Sequence, residues 1–176
     1  YGGDVTVNNS GDISVEGQSF EAGIFAITPD SITIINDGSI AVNSSAVAFG
    51  LYANSAYQIS IDNSGDIAVD ASGYAAGIYA SSNFGDITIS NSGDINSSAY
   101  DTYGYAAGIT ATSVFDGSTS ITNSGKITAT SVYADAVGIS SSAKYVASII
   151  NSGDIAVVAD AGNATGLFAE GKYNGT

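Results

Sequence analysis

The sequence has no cysteine, histidine, methionine or tryptophan, a single proline and only three positively charged residues. Each absence closes off a class of function. Without Cys there are no disulfides, thiolate nucleophiles or thiolate-bound metals. Without His there is no imidazole base and no usual zinc or haem ligand. Three lysines against 17 acids leave a net charge of −14. That excludes a simple electrostatic nucleic-acid binder, because phosphate contacts need Lys and Arg, and it argues against binding to anionic membrane surfaces. No apolar run is long enough for a transmembrane helix, so no membrane insertion of this segment is expected. The missing cysteines leave the redox compartment open and fit export without disulfide chemistry. The chain opens Tyr1-Gly2-Gly3 rather than with Met, which reads as a mature or excised piece.

Charge of either sign is scarce as well: 11% of residues are charged and 44% are apolar. Disorder driven by high charge and low hydrophobicity is therefore not expected. What fills the chain instead is repetition. Asn-Ser-Gly-Asp-Ile or a close relative begins at Asn9, Asn36, Asn63, Asn91, Asn123 and Asn151. Its glycine is Gly11, Gly38, Gly65, Gly93, Gly125 and Gly153, in steps of 27, 27, 28, 32 and 28 residues. A second motif, Gly followed by Ile or Leu, alternates with it at Gly23, Gly50, Gly77, Gly108, Gly138 and Gly166. Self-similarity at such a period is the signature of a repeat architecture.

Each unit carries three β-like runs. One precedes the Asn (Ile32-Thr33-Ile34), one follows the first Gly (Ile40-Ala41-Val42), and one surrounds the second Gly (Phe49-Gly50-Leu51-Tyr52-Ala53). Alternation with period 2 and β-branched residues mark them as strands bounded by Asn/Gly turns. Good helix formers are nearly missing. Three short strands per unit predict a three-sided parallel β-solenoid of six coils, over about 4–30, 31–58, 59–86, 87–118, 119–147 and 148–176. A propeller blade needs a longer unit, and a sandwich does not require register-locked repetition. Stacked at about 4.8 Å per coil, six coils make a prism about 29 Å long.

Equivalent positions of a solenoid stack as columns. Those of Ile34, Ile40 and Leu51 are expected to face inward, each buried side chain contributing roughly 1.5–3 kcal/mol. The six Asn residues are expected to form an amide ladder at a corner. The glycine after them is expected to serve a turn, through φ > 0 or through close backbone approach. The next column, Asp12, Ser39, Asp66, Asp94, Lys126 and Asp154, reads as a solvated acidic edge; the alternative is a weak calcium site on Asp12, Asp66, Asp94 and Asp154, hard oxygen ligands suiting Ca²⁺. No other cofactor is expected.

On the third run the expected outward positions are the second Gly, then Phe25, Tyr52, Tyr79, Thr110, Ser140 and Phe168. With Glu21, Ala48, Ala75, Ala106, Ala136 and Ala164 two residues before that Gly, this face reads as a flat small-residue surface bearing an aromatic interaction stripe at Phe25, Tyr52, Tyr79 and Phe168. Alternatively the alternation slips there and the rings turn to the core. The longest inserted loop is expected at Ser97–Tyr105, and Asn-x-Ser/Thr sequons at Asn8, Asn43, Asn96, Asn163 and Asn174 match what an Asn- and Ser-rich chain gives by chance.

Catalytic chemistry is not expected. Sugar-cleaving sites need paired carboxylates; the nearest pairs, Asp62 with Asp66 and Asp66 with Asp94, follow the turns of the repeat, and Lys126, Lys144 and Lys172 are scattered. The Asn-Ser-Gly-Asp-Ile turns, the Ile-Thr-Ile runs and the Gly-Ile-Tyr-Ala strand resemble the passenger repeats of large secreted bacterial exoproteins, the autotransporter and two-partner-secreted adhesins. The resemblance covers about the whole chain. It implies an extracellular or cell-surface right-handed parallel β-helix, a structural or adhesive filament component. Self-association and a surface glycan or a host or neighbouring-cell ligand are the partners that follow. A carbohydrate-active β-helix would need a groove with paired acids. An ice-binding solenoid would need regular Thr rows, and only the mixed column Thr6, Thr33, Ser60, Thr88, Ser120 and Ser148 exists. Both ends run close to strands, which predicts a section of a longer solenoid or a subunit that stacks end to end.

Overall fold

A computed structural model describes residues 2–173; the expectations at Tyr1 and at 174–176 lie outside the described residues. Among the described residues eighteen strands follow one another, numbered β1–β18, and every third one pairs in parallel with its predecessor of the same kind. The first sheet holds β1 (Val5–Asn9), β4 (Ile32–Asn36), β7 (Ile59–Asn63), β10 (Ile87–Asn91), β13 (Thr119–Asn123) and β16 (Ala147–Asn151). The second holds β2 (Ile13–Gly17), β5 (Ile40–Ser44), β8 (Ile67–Ala71), β11 (Ile95–Ala99), β14 (Ile127–Ser131) and β17 (Ile155–Ala159). The third holds the longer strands β3 (Phe20–Thr28), β6 (Val47–Ser55), β9 (Tyr74–Ser82), β12 (Ala106–Ser113), β15 (Ala136–Ala143) and β18 (Ala164–Gly171). This is the six-coil, three-sided parallel β-helix that the repeat predicts. No helix among the described residues is long and apolar enough to cross a membrane.

Register follows the repeat residue by residue. Ile34 pairs with Ile61, Ile40 with Ile67, Leu51 with Ile78, and Asn36 with Asn63. One-residue slips would turn every Ile outward, so the repeated pattern holds the register. The interior is one continuous cluster of Ile, Leu, Val and Ala running along the axis. Each coil is too thin to bury its own side chains, so stability comes from stacking on neighbours.

The corners explain the Asn and Gly columns. Each Asn closes a strand of the first sheet and turns its amide along the axis. Asn36 Nδ2 donates to Gly38 O at 2.7 Å within its own corner and to Asn63 Oδ1 at 2.7 Å in the next coil. The same pair of bonds recurs at Asn9, Asn63, Asn91 and Asn123. Both amide protons are used, and the donors all point toward the C-terminal coils. Of the two roles expected of the adjoining glycine, close approach is the one realised. A Cβ on Gly65 would lie 2.0 Å from the Gly38 carbonyl oxygen, and one on Gly125 would lie 2.0 Å from that of Gly93. Positive φ belongs to Gly117 alone among the described residues.

The second glycine column corrects an expectation. These glycines do not face outward: a Cβ on Gly50 would meet Ile67 Cγ2 at 2.3 Å, inside the prism. Ala48, Ala75, Ala106 and Ala136 are 0% exposed and belong to the inner core, so the flat small-residue surface does not exist. The physical reason is a phase change. Gly and the following Ile or Leu both turn inward, and the ladder register skips the glycine: Phe49 pairs with Ala76 and Leu51 with Ile78. Alternation therefore restarts on the other phase after the glycine.

Candidate interaction surface

The phase change gives the outer face of the third sheet a second, smaller core. Residues just before the glycine and two after it both point outward and meet across the bend. Phe49 reaches Tyr52 at 5.0 Å and Tyr79 at 5.5 Å between ring centres, and it is buried together with Ala76 and Ala107. Phe25, Tyr52 and Tyr79 stack in sequence at 5.0 and 5.2 Å. Offset and edge-on packing of this kind adds about 0.5–1.5 kcal/mol per pair beyond area burial. Three of the four rings expected in a stripe are thus brought together. Phe168 is separated from them by Thr110 and Ser140 in the same register and stands apart.

This outer cluster is largely occupied with itself. Stacked rings cover each other's faces and show their edges. Burial pushes the Tyr74 phenol well above its usual range, with Tyr105 and Tyr79 nearby adding to the shift. Burial also raises Tyr79 and Tyr105.

The acidic column sits at the corner between the first and second sheets. Asp12 accepts the Ser39 hydroxyl at 2.6 Å and its amide at 3.3 Å, which lowers the Asp12 carboxyl below its ordinary value. Asp66 accepts the Asp94 amide at 2.9 Å, and Asp94 accepts the Lys126 amide at 2.8 Å. Asp12, Asp66 and Asp94 thus each spend one oxygen on a backbone N–H of the following coil. Among the described residues no group of three or more acidic side chains gathers as a metal site. Ser39, Ala41, Asp66, Ala68, Asp94 and Lys126 line a shallow open groove of about 420 Å³ along the second sheet.

The inserted loop is shorter than expected, because Ser97–Ala99 belong to β11 and only residues 100–105 leave the sheet. Tyr103 at its tip is 91% exposed, and Tyr100 donates its hydroxyl to Asp70 at 2.8 Å.

No family model, curated protein or solved structure matches this chain.

The sequence reading missed one surface, the corner between the third and first sheets. Each coil from the second onward places one aromatic there: Tyr57, Phe84, Phe115, Tyr145 and Tyr173, each about half exposed. Amides tie successive turns together, Phe84 N to Ala56 O at 2.8 Å and Phe115 N to Asn83 O at 2.8 Å. Phe84 and Phe115 stack at 5.6 Å, and Tyr145 meets Tyr173 edge-on at 6.3 Å. Lys144 Nζ lies 4.9 Å from the centre of the Tyr173 ring. The signal was there as one aromatic per unit, but the spacings of 27, 31, 30 and 28 residues hide the column until the coils are stacked.

Proposed function

We propose that this chain is a non-catalytic structural or adhesive scaffold of an extracellular or surface filament, assembling by end-to-end and lateral strand packing. The observation that carries this reading is the translational ladder. Every coil offers the same strand edge, the same Asn donor and the same Ile columns to the coil that follows it, so a further coil of like register continues the pattern wherever it comes from. Heterologous contacts of this kind build filaments when they do not close. Sedimentation and negative-stain electron microscopy across a concentration series test it. Fibres or end-to-end oligomers with a constant cross-section are expected, and a strict monomer at the highest concentration overturns the assembly.

A second reading, binding of a surface glycan, is favoured by the groove over Ala41 and Ala68 with Asp66 and Asp94 on its wall. A glycan array tests it, with loss of any signal in Ala68→Tyr, which fills the groove floor, as the confirming result.

A further inference from the structure

Charge is distributed unevenly along the solenoid. Residues 1–118 hold 13 of the 17 acids and no lysine or arginine; residues 119–176 hold four acids and all three lysines. The exposed aromatic corner runs through both regions. In the last coils the chain supplies its own cation, Lys144 over Tyr173. The positions equivalent to Lys144, each immediately before the turn aromatic, are Ala56, Asn83 and Val114, none of them charged. Tyr57, Phe84 and Phe115 are 55%, 53% and 61% exposed. Asp86 and Asp116 lie in the same turns as Phe84 and Phe115, Asp116 also accepting the Tyr145 hydroxyl, and Asp30 lies in the turn of the preceding coil, where its carbonyl accepts the Tyr57 amide at 3.4 Å. Asp86 uses one oxygen on the Ser118 amide at 2.8 Å, leaving the other to solvent. Lys172 with Glu170 is the one ion pair among the described residues, and it lies in the last coil.

We propose that the corner formed by Tyr57, Phe84 and Phe115 with Asp30, Asp86 and Asp116 is a docking surface for an extended Lys/Arg-bearing segment of a partner protein. Ammonium or guanidinium groups would take the place over these rings that Lys144 takes over Tyr173, with the carboxylates beside them completing the recognition. Charge complementarity selects this occupant. A second copy brings another −14 to a region that has no cation to meet it, and phosphate-bearing partners are repelled in the same way. The surface goes beyond the scaffold reading and stands apart from it, since assembly uses strand edges and docking uses a corner.

The test uses the full chain and a fluorescent nonapeptide of alternating Arg and Ser, with the citrulline analogue as its neutral control, read by anisotropy at low and moderate salt. Saturable binding of the Arg peptide and none of the analogue is expected. The variant Y57S/F84S/F115S, which leaves charge unchanged, should bind roughly tenfold more weakly while keeping its circular dichroism and melting temperature. Asn83→Lys, which sets a cation beside Phe115 as Lys144 stands to Tyr173, should also weaken binding, and Asn96→Lys on the second sheet should not. Equal binding by the triple variant and the parent overturns the proposal in favour of plain polyelectrolyte attraction. Binding of the citrulline analogue or of neutral saccharides at this corner overturns it too. Sedimentation of the same samples without peptide reports assembly separately, so failure of one reading does not mask the other.

Discussion

Coils 2 to 4 and coils 5 to 6 share one backbone and differ in what they wear. Both keep the Asn amide, the corner glycine and the inward Ile. Outside, the second and third coils stack Tyr52 and Tyr79 on the third sheet and the third and fourth stack Tyr74 and Tyr105, where the fifth has Ser140 and Asp135. The earlier coils carry unpaired acids, and the later ones carry lysines. The difference separates two kinds of constraint. Positions that touch the neighbouring coil's backbone cannot vary, because the stack leaves no room. Positions that face outward vary freely and set what the surface can recognise.

On that division, breaking the shared frame costs the same in both regions. Gly65→Ala and Gly125→Ala each force a Cβ to within 2.0 Å of a carbonyl oxygen in the preceding coil. Each should cost about 4 kcal/mol or more, or prevent folding, as read by urea unfolding. A mild effect at Gly125 alone would show that the later coils are laxer. Next in size, Asn63→Ala and Asn123→Ala each strand amide partners above and below, buried except for the half-buried Asn151. We expect about 2–3 kcal/mol for each, with midpoints shifted equally.

The outer decoration should make the regions differ at high pH. Burial holds the Tyr74, Tyr79 and Tyr105 phenols above their usual range. Folded values raised above the unfolded ones mean that this contribution is intact below the unfolded tyrosine pKa of about 10 and is lost as pH rises above it. An absorbance titration should show these phenols ionising later than the unfolded chain's. Y74F/Y79F/Y105F should flatten the alkaline loss of stability. A titration in which all phenols ionise together at the unfolded value would contradict the packed outer cluster.

The smallest expected change sharpens the comparison within the core. Val42 and Val69 stack in the second sheet, and Ser97 follows them with a buried hydroxyl that has no partner. Ser97→Val should raise stability by about 1 kcal/mol, shifting the urea midpoint upward with an unchanged slope.

Much of the fold was legible because a solenoid converts repetition into contact. Asn36 and Asn63 occupy the same place in the repeat, so once coils stack they must touch, and the ladder followed from the spacing of the motif. The inward Ile columns followed from alternation in the same way. The corner glycine was legible as a requirement, though not as to which one: neither φ nor a carbonyl two ångströms away appears in a string of letters.

The sequence by itself determined the number of coils, the three strands of each, their register and the residues of the amide ladder, since all of these depend only on what recurs. Only the tertiary structure decided which way the third strand faces. Two successive inward residues at Gly50 and Leu51 look like ordinary alternation until the ladder is seen to skip the glycine. Only the tertiary structure likewise gathered Tyr57, Phe84 and Phe115 on one corner, because loops of unequal length put unequal spacings in the sequence and stacking removes them.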